Sequence, residues 1–582
     1  MKSYMPARTI GDLLRHRAAA TPDDLAYCFL RNGEAEEGAV SFHDLDRQAA
    51  SVGAALAARG VRACDRVLIV LPQGLAYVVA LFGCWRGGLV AVPCYPPTRA
   101  GQLRRLQAVA ADCAAKVLVC DRSAIGSLAA SPEVAASGCA VYAIEDLMSA
   151  DPTGGPEGGH DLDAVAILQY TSGSTGSPKG VMVSHGNVAA NQVCMGEAFQ
   201  PGERPAIVSW LPLFHDMGLI HGLLYPFFFG GTGYLMSPLA FLQKPVRWLA
   251  AIGRYRAEMS GGPNFAYDLC IRETSVQDRA RLDLSAWKTA FNGAEPVRAD
   301  TLDRFAAAFA PSGFDAGALH PCYGLAEATL MATARRGARG PRVAHVEAAQ
   351  LAAQERARAV DACDAGAQAV VGCGLPPTGA KLRIVDPQAG TALAPWQVGE
   401  VWLAGEHIAR GYWNNPQASA QTFAAHLADG DGPYMRTGDL GFVDDTGELF
   451  LTSRLKDLII LRGRNYSPSD LEVVVEKAHP GIRENGVAAF TVPGASGEVL
   501  AIAAEVRAEA ARDFDPAAAT RQLRAAVSAE FDLRVEKFAF VRRGKLPRTT
   551  SGKIQRAACR AALLGDELVP FDRGLPAAGT ST

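Results

Sequence analysis

The chain has 582 residues, 49% of them hydrophobic and 20% charged, with a formal net charge of −3 at pH 7. That length exceeds what one hydrophobic core supports, so two or more domains are expected. The balanced charge excludes a general electrostatic attraction to nucleic acid or anionic membranes.

Met1 to Pro6 lacks the apolar centre of a signal peptide. The greasiest stretch, Leu219 to Met236, is broken by His221, Pro226 and four glycines, which argues against an integral membrane segment. A cytoplasmic protein is therefore expected. The 13 cysteines form no CxxC pair and mostly have small apolar neighbours, as buried thiols in a reducing compartment do. His215 and His221 are spaced for neither a shared helix face nor a zinc site.

Over the first 450 or so residues, short apolar strands alternate with Ala-rich helices. Asp44 to Gly60 reads as a helix with Leu45, Ala49, Val52 and Leu56 on one face and Gly60 as its stop. Buried strands are expected at 67–71, 117–120, 206–211, 381–385 and 400–404. The alternation predicts an α/β architecture with largely parallel strands, turning β-rich after about residue 395. A compact α+β tail follows Ser453–Asp457: strands near 458–461, 487–492, 499–506 and 537–541, and helices from Pro468 to His479 and from about 518. The expected division is a domain of 1–455, a mobile domain of 456–571, and a small polar tail, 572–582, that is disordered.

Residues 171–180 carry three glycines, five hydroxyl side chains and one lysine in ten positions. Gly173 and Gly176 permit backbone angles that let consecutive N–H groups converge on one point. Thr171, Ser172, Ser174 and Thr175 add neutral donors, and Lys179 adds a positive charge. The inventory suits a polyphosphate, and the order Pro-Lys-Gly sets it apart from the Walker type. The apolar run 165–168 feeds this loop as a strand, so the loop leaves a strand end, where α/β folds bind ligands.

Five further strings complete a pattern: Trp210–Gly218, Asn292-Gly-Ala-Glu-Pro296, Tyr323-Gly-Leu-Ala-Glu327, Arg436-Thr-Gly-Asp439 with the 453–463 segment, and Lys545–Lys553. In this order and spacing they resemble the adenylate-forming superfamily over about residues 10–565. The resemblance implies ATP and Mg2+ as the nucleotide and its metal. Lys179 and the loop hydroxyls would hold the terminal phosphates, and Glu327 would ligate magnesium, a hard ion suited by an oxygen donor. Tyr323 with Gly324 would stack on adenine, while Asn292, Gly293, Ala294 and Glu295 edge the purine. Asp439 would accept the ribose hydroxyls with Arg454 nearby. Lys553 resembles the catalytic lysine that bridges carboxylate and α-phosphate, and Lys456 sits at the hinge position. His215 either contacts the reacting anions or gates the acyl pocket.

Four strings, Pro93–Pro97, Ser209–Ile220, Gly261–Asp268 and Leu461–Asn465, narrow the resemblance to fatty acyl-AMP ligases. These load long-chain acids onto the phosphopantetheine of a holo acyl carrier protein. The 335–370 segment, with an Ala-rich helical stretch expected from Val346 to Val360, resembles the family insertion thought to suppress CoA thioester formation. Leu223, Leu224, Tyr225, Phe227, Phe228 and Phe229, with the Gly261-Gly262 turn, are candidates for an alkyl-chain tunnel, since each buried methylene contributes about 0.8 kcal/mol. A monomer is expected. Two other readings stay open: an acyl-CoA synthetase, and a non-catalytic adenylate-binding protein.

Overall fold

The computed structural model describes residues 9–98, 100–153, 161–171, 178–337, 340–352, 356–461, 464–494, 497–531, 533–549 and 552–571. The expected tail, 572–582, lies outside them. The chain divides into two compact units, one of residues 1–343, 371–383 and 402–436, the other of 344–370, 384–401 and 437–582.

The larger unit is built on two mixed sheets. One has six strands in the order Ala140–Ala143, Val117–Cys120, Arg66–Val70, Val90–Pro93, Val165–Thr171, Lys179–Ser184. All neighbours in it are parallel except the last pair. Val67, Leu68, Ile69 and Val70 are all buried. A strand covered on both faces is apolar throughout, which is why this run carries no alternation.

The second sheet has eight strands, running Met331–Ala334, Leu319–Gly324, Thr289–Asn292, Met259–Gly262, Ala206–Ser209, Thr232–Met236, Leu25–Arg31, Ala35–Ser41. Only its two outermost pairs are antiparallel. The helix expected from Asp44 runs from Phe42 to Ala58, with the Ser41 hydroxyl accepting from the Asp44 N–H as its cap.

Met217–Leu223 forms a π-helix that passes into the short helix Leu224–Phe228. A π-helical turn is uncommon and concentrates at functional sites. It is packed tightly: a Cβ on Gly218 would sit 2.0 Å from the Pro212 carbonyl oxygen.

In the second unit, strands Ile482–Gly494, Gly497–Val506 and Val535–Arg542 form a three-stranded sheet packed by helices Pro468–Ala478 and Pro516–Phe531 on one core and by Arg556–Leu564 on another. The 344–370 segment belongs to this unit. Its Val346, Leu351, Ala357 and Val370 share a core with Leu440, Phe442 and Phe450, flanked by Leu455 and Leu458.

The helical stretch expected over 346–360 is wrong in extent: among the described residues the helix covers Ala348–Ala352. Arg356 to Val360 runs extended, with Ala359 bridged to Val346 and Arg356 to Gln397. The cause is legible afterwards in Arg356-Ala357-Arg358, where the alanine is buried between exposed arginines, a period of two.

Candidate active site

Thr171 and Lys179 face each other at the ends of antiparallel strands Val165–Thr171 and Lys179–Ser184. The glycine- and hydroxyl-rich segment therefore joins two antiparallel strands. Ser172, Gly173, Ser174, Thr175 and Gly176 lie outside the described residues.

Lys179 Nζ stands 4.8 Å from the centre of the Tyr412 ring. The Tyr412 hydroxyl donates to Glu327 Oε1 at 2.8 Å. One aromatic side chain thus spans the distance between the candidate phosphate lysine and the candidate magnesium ligand. Burial, then the Glu327 charge, push the Tyr412 pKa up, so the phenol remains a donor.

Backbone pairing puts Tyr412 there. Arg410 N–H donates to the Met182 carbonyl at 3.0 Å, Met182 N–H to Gly411 at 2.9 Å and Trp413 N–H to Gly180 at 2.7 Å, so this segment lies along the lysine strand. Glu327 sits on the single turn Ala326–Ala328, whose Glu327 carbonyl accepts from Ala409 N–H at 2.9 Å. The adjoining Thr329, at φ 66°, ties its hydroxyl to the His407 carbonyl at 2.7 Å.

The purine-edge candidates end the strand Thr289–Asn292. Asn292 is fully buried and donates to Asn264 Oδ1 at 3.3 Å, and Arg298 N–H donates to the same oxygen at 3.1 Å. Its amide therefore braces the loop from behind. Ala294 adopts φ 69°, which for a residue with a Cβ costs about 1–2 kcal/mol. Glu295 accepts from Phe265 N–H, and Gly293 lies between Asn292 and that strained turn. Tyr323 is paired in register with Thr333. At Gly324 a Cβ would lie 2.0 Å from the Leu330 carbonyl oxygen, so only glycine fits.

His215 Nδ1 lies 2.6 Å from Asp216 Oδ1. Two glutamines support this loop: Gln169 donates to the Phe214 carbonyl at 2.8 Å, and Gln73 to the Leu211 carbonyl at 3.1 Å. Gln169 is two residues before Thr171, so the His215 loop and the phosphate strand are tied together.

Among the tunnel candidates, the Phe227 ring is 4.8 Å from Phe82 and 6.3 Å from Phe42, and Phe228 is 5.9 Å from Phe227. Tyr225 faces elsewhere, against His221, Phe199 and Phe229. A Cβ on Gly261 would lie 2.1 Å from the Phe291 carbonyl oxygen, and one on Gly262 2.8 Å from the Trp210 ring. These glycines make room for two aromatics.

In the second unit Asp439 and Arg454 are cross-strand neighbours, and Arg454 Nε donates to Asp439 Oδ1 at 2.9 Å. Lys456 lies exposed in the next turn. Beside it, Asp457 accepts from Arg556 at 2.9 Å, and Arg556 also bonds both Glu472 oxygens at 2.7 Å. Lys553 N–H donates to Thr549 Oγ1 at 3.0 Å, and Thr549 N–H to the Lys553 carbonyl at 2.7 Å. Arg548 caps this turn through the Gly552 carbonyl at 2.9 Å, and is itself held by the fully buried Glu505 at 3.4 Å. Thr550 and Ser551 of the loop lie outside the described residues.

Sequence reasoning missed Tyr412, Gln169, Glu505 and Arg548. Only Arg548 carried a signal, its place in the lysine string.

Glu327, a single carboxylate flanked by a phenol and near a lysine, fits magnesium in its usual setting, where nucleotide phosphates complete the coordination. Among the described residues no group of three or more His, Cys, Asp or Glu could hold a metal ion unaided, and no helix is long and apolar enough to cross a membrane.

The AMP-binding enzyme family model matches residues 14–413, and the model of the Disco-interacting protein 2-like AMP domain matches 456–570. The medium-chain-fatty-acid–[acyl-carrier-protein] ligase JamA of Moorena producens is 41% identical over 96% of this chain and 95% of its own. The long-chain-fatty-acid–AMP ligase FadD26 of Mycobacterium tuberculosis is 36% identical over 95% and 96%. The crystal structure of fatty acyl-adenylate ligase from L. pneumophila in complex with acyl adenylate and pyrophosphate aligns with a TM-score of 0.76 at 34% identity, covering 98% of each chain. The chain belongs to the AMP-binding enzyme family, as an ATP-using ligase.

Proposed function

We propose that the protein activates a long-chain fatty acid with ATP and hands the acyl group to the phosphopantetheine thiol of an acyl carrier protein, acting as a cytoplasmic monomer. In the first step a carboxylate oxygen bonds the α-phosphorus and pyrophosphate leaves. In the second the thiol sulfur bonds the acyl carbon and AMP leaves.

The observation that carries this reading is the convergence of Lys179 and Glu327 on Tyr412. Two anions must meet in the first step, so positive charge has to stand ready before they do. Lys179 supplies one such charge beside the phosphate segment. Magnesium, when bound at Glu327, shields the phosphates further. Asp439, oriented by Arg454, accepts the ribose hydroxyls. Lys553 meets the charge that develops as the new bond forms, and Lys456 is the hinge that brings and removes it, with 456–571 as the moving domain. Thr171, Ser172, Gly173, Ser174, Thr175 and Gly176 line the phosphates, Tyr323 and Gly324 stack the adenine, and His215 contacts the reacting anions.

Chain-length preference separates this protein's relatives, one named for medium-chain and one for long-chain acids. The test is ATP–pyrophosphate exchange across a chain-length series. Glu327→Ala should shift the magnesium titration, whereas Asp439→Ala should weaken ATP affinity. Unchanged titrations in both variants would contradict the nucleotide assignment.

A further inference from the structure

The main chain of His215 is fixed on both sides. Its N–H donates to the Pro212 carbonyl at 3.1 Å, and its carbonyl accepts from Leu219 N–H at 2.9 Å. The preceding carbonyl, of Phe214, accepts from Gln169 at 2.8 Å, which ties the loop to the strand that leads into the phosphate segment. These bonds place the Cα atom, but the ring still turns about two side-chain bonds and needs a partner of its own to face one way. Asp216 is that partner, with Oδ1 2.6 Å from His215 Nδ1. The two side chains are 24% and 14% exposed, so the pair lies within reach of a ligand and is not sealed in the core.

The contact also places a proton. Met217 N–H donates to the same Asp216 oxygen at 2.7 Å and stands 3.4 Å from His215 Nδ1, so the nearer, charged acceptor takes it. A bare Nδ1 would then set its lone pair against a carboxylate oxygen at 2.6 Å. Nδ1 therefore carries the proton and Asp216 accepts it, which turns Nε2 away from the carboxylate. An imidazole that bonds an anion through Nε2 needs a second proton there. The ring is then a cation, and Asp216 is the opposite charge that favours it.

Helix capping does not account for an aspartate at this position. A capping residue has an extended backbone, and its side chain reaches the second or third N–H of the helix. Asp216 has φ −49° and ψ −48°, and its oxygen meets the first N–H, that of Met217. Leu219 N–H already bonds back to His215, so the turn begins ahead of Asp216. The side chain is folded back toward the ring.

We propose that Asp216 is a positioning residue for acyl-adenylate formation: it fixes the orientation and the Nδ1 proton of His215 and balances the ring's charge when Nε2 meets the reacting carboxylate or α-phosphate. The proposal rests on the reading above that His215 contacts the reacting anions. Asp216 acts through the ring and touches neither anion. A charge-assisted hydrogen bond is roughly twice as strong as a neutral one, enough to hold one ring orientation in a partly exposed loop. Because Gln169 joins that loop to the phosphate strand, a ring held on the loop is also held relative to the phosphates.

The test is ATP–pyrophosphate exchange by the full chain with a long-chain fatty acid, run as a double-mutant cycle on His215 and Asp216. Asp216→Ala should lower kcat by about tenfold or more with the KM for ATP little changed, because the ring is displaced and the nucleotide is not. Asp216→Asn keeps the shape and removes the charge, and its kcat should fall between that variant and the wild type. Thermal denaturation verifies that each variant is folded. Added to His215→Ala, Asp216→Ala should cost less than about a further twofold. A full second loss in that background would overturn the positioning role, since Asp216 would then act without the ring. Wild-type kcat in folded Asp216→Ala would overturn it as well. Wild-type exchange by His215→Ala would overturn the reading of His215 itself, and the role of Asp216 with it. Exchange driven by an amino acid and lost in Asp216→Asn would overturn the proposal in favour of a carboxylate that pairs with a substrate ammonium group.

Discussion

The two units hold their candidate lysines by opposite means. Lys179 starts a sheet strand and lies over the ring of Tyr412, which reaches Glu327 through a neutral phenol. The core of that unit is rich in aromatic rings, and burial lowers the pKa values of its His221, His320 and His407. Lys553 lies in a turn held by charge: buried Glu505 receives Arg483, Arg548 and the N–H groups of Gly544 and Leu546. A strand-mounted lysine is fixed by the sheet. A loop-mounted one needs a local frame that travels with it, and a buried carboxylate at the centre of several donors provides that frame.

The largest test of this contrast is Lys553→Ala. Its charge is needed mainly as the bond forms, so acyl-AMP formation should fall by about 100-fold or more while ATP affinity changes little. Near-normal turnover would remove Lys553 from the first step.

Glu505→Gln attacks the frame instead. Breaking a buried ion pair leaves uncompensated charge, here Arg483 and Arg548, at a cost of about 3–5 kcal/mol. The second unit should melt earlier by calorimetry, and adenylation should drop. Transfer from supplied acyl-AMP, which does not use Lys553, should survive in the folded fraction. Equal loss of both half-reactions in folded protein would show that Glu505 does not act through the lysine turn.

Acid should weaken the larger unit through its histidines. Burial depresses His221 to about 3, and His320 and His407 to about 4, below the ordinary 6.5. The unfolded chain therefore binds more protons between those values, and stability rises with pH across that window. The contribution is complete above about pH 6.5 and lost on acidification, at about 2 kcal/mol per histidine by pH 5. Denaturant unfolding at pH 7 and pH 5 reads this directly, and a pH-independent midpoint would contradict it.

The smallest effect is expected from Tyr412→Phe, which keeps the ring beneath Lys179 and removes the bond to Glu327. A loss of about 1 kcal/mol, seen as a several-fold weaker magnesium response, is the expected outcome.

The lysines, Glu327, Asp439 and Arg454 could be singled out as candidates because each sits in a contiguous string whose composition has a chemical reason, and the structure pairs Asp439 with Arg454. Tyr412 was not, since its meaning depends on a partner 85 positions away. Gln169 and Glu505 were hidden for the same reason: a polar residue inside an apolar strand gives no hint of which carbonyl or guanidinium it meets. The main strands and helices were readable from apolar runs and caps. The 346–360 stretch misled because alanine suits a helix as well as the small buried face of a bridge. Phe227 shows the limit of composition alone, since its ring packs on Phe42 and Phe82 while Tyr225, two residues earlier, faces Phe199.

The 344–370 segment packs Val346 and Leu351 into one core with Leu440 and Phe442, beside Leu455 and Leu458 on either side of the hinge candidate Lys456. A bias of about 1.4 kcal/mol between poses changes a minor population tenfold, so a small energetic preference would suffice if this segment acts on the acceptor. The most direct measurement of the account supplies the protein with ATP, magnesium, a long-chain fatty acid, and CoA and a holo acyl carrier protein in equal amounts, and follows both thioesters by mass. The account predicts acyl-AMP followed by acyl-carrier protein, with little acyl-CoA. Acyl-CoA as the dominant product would contradict it.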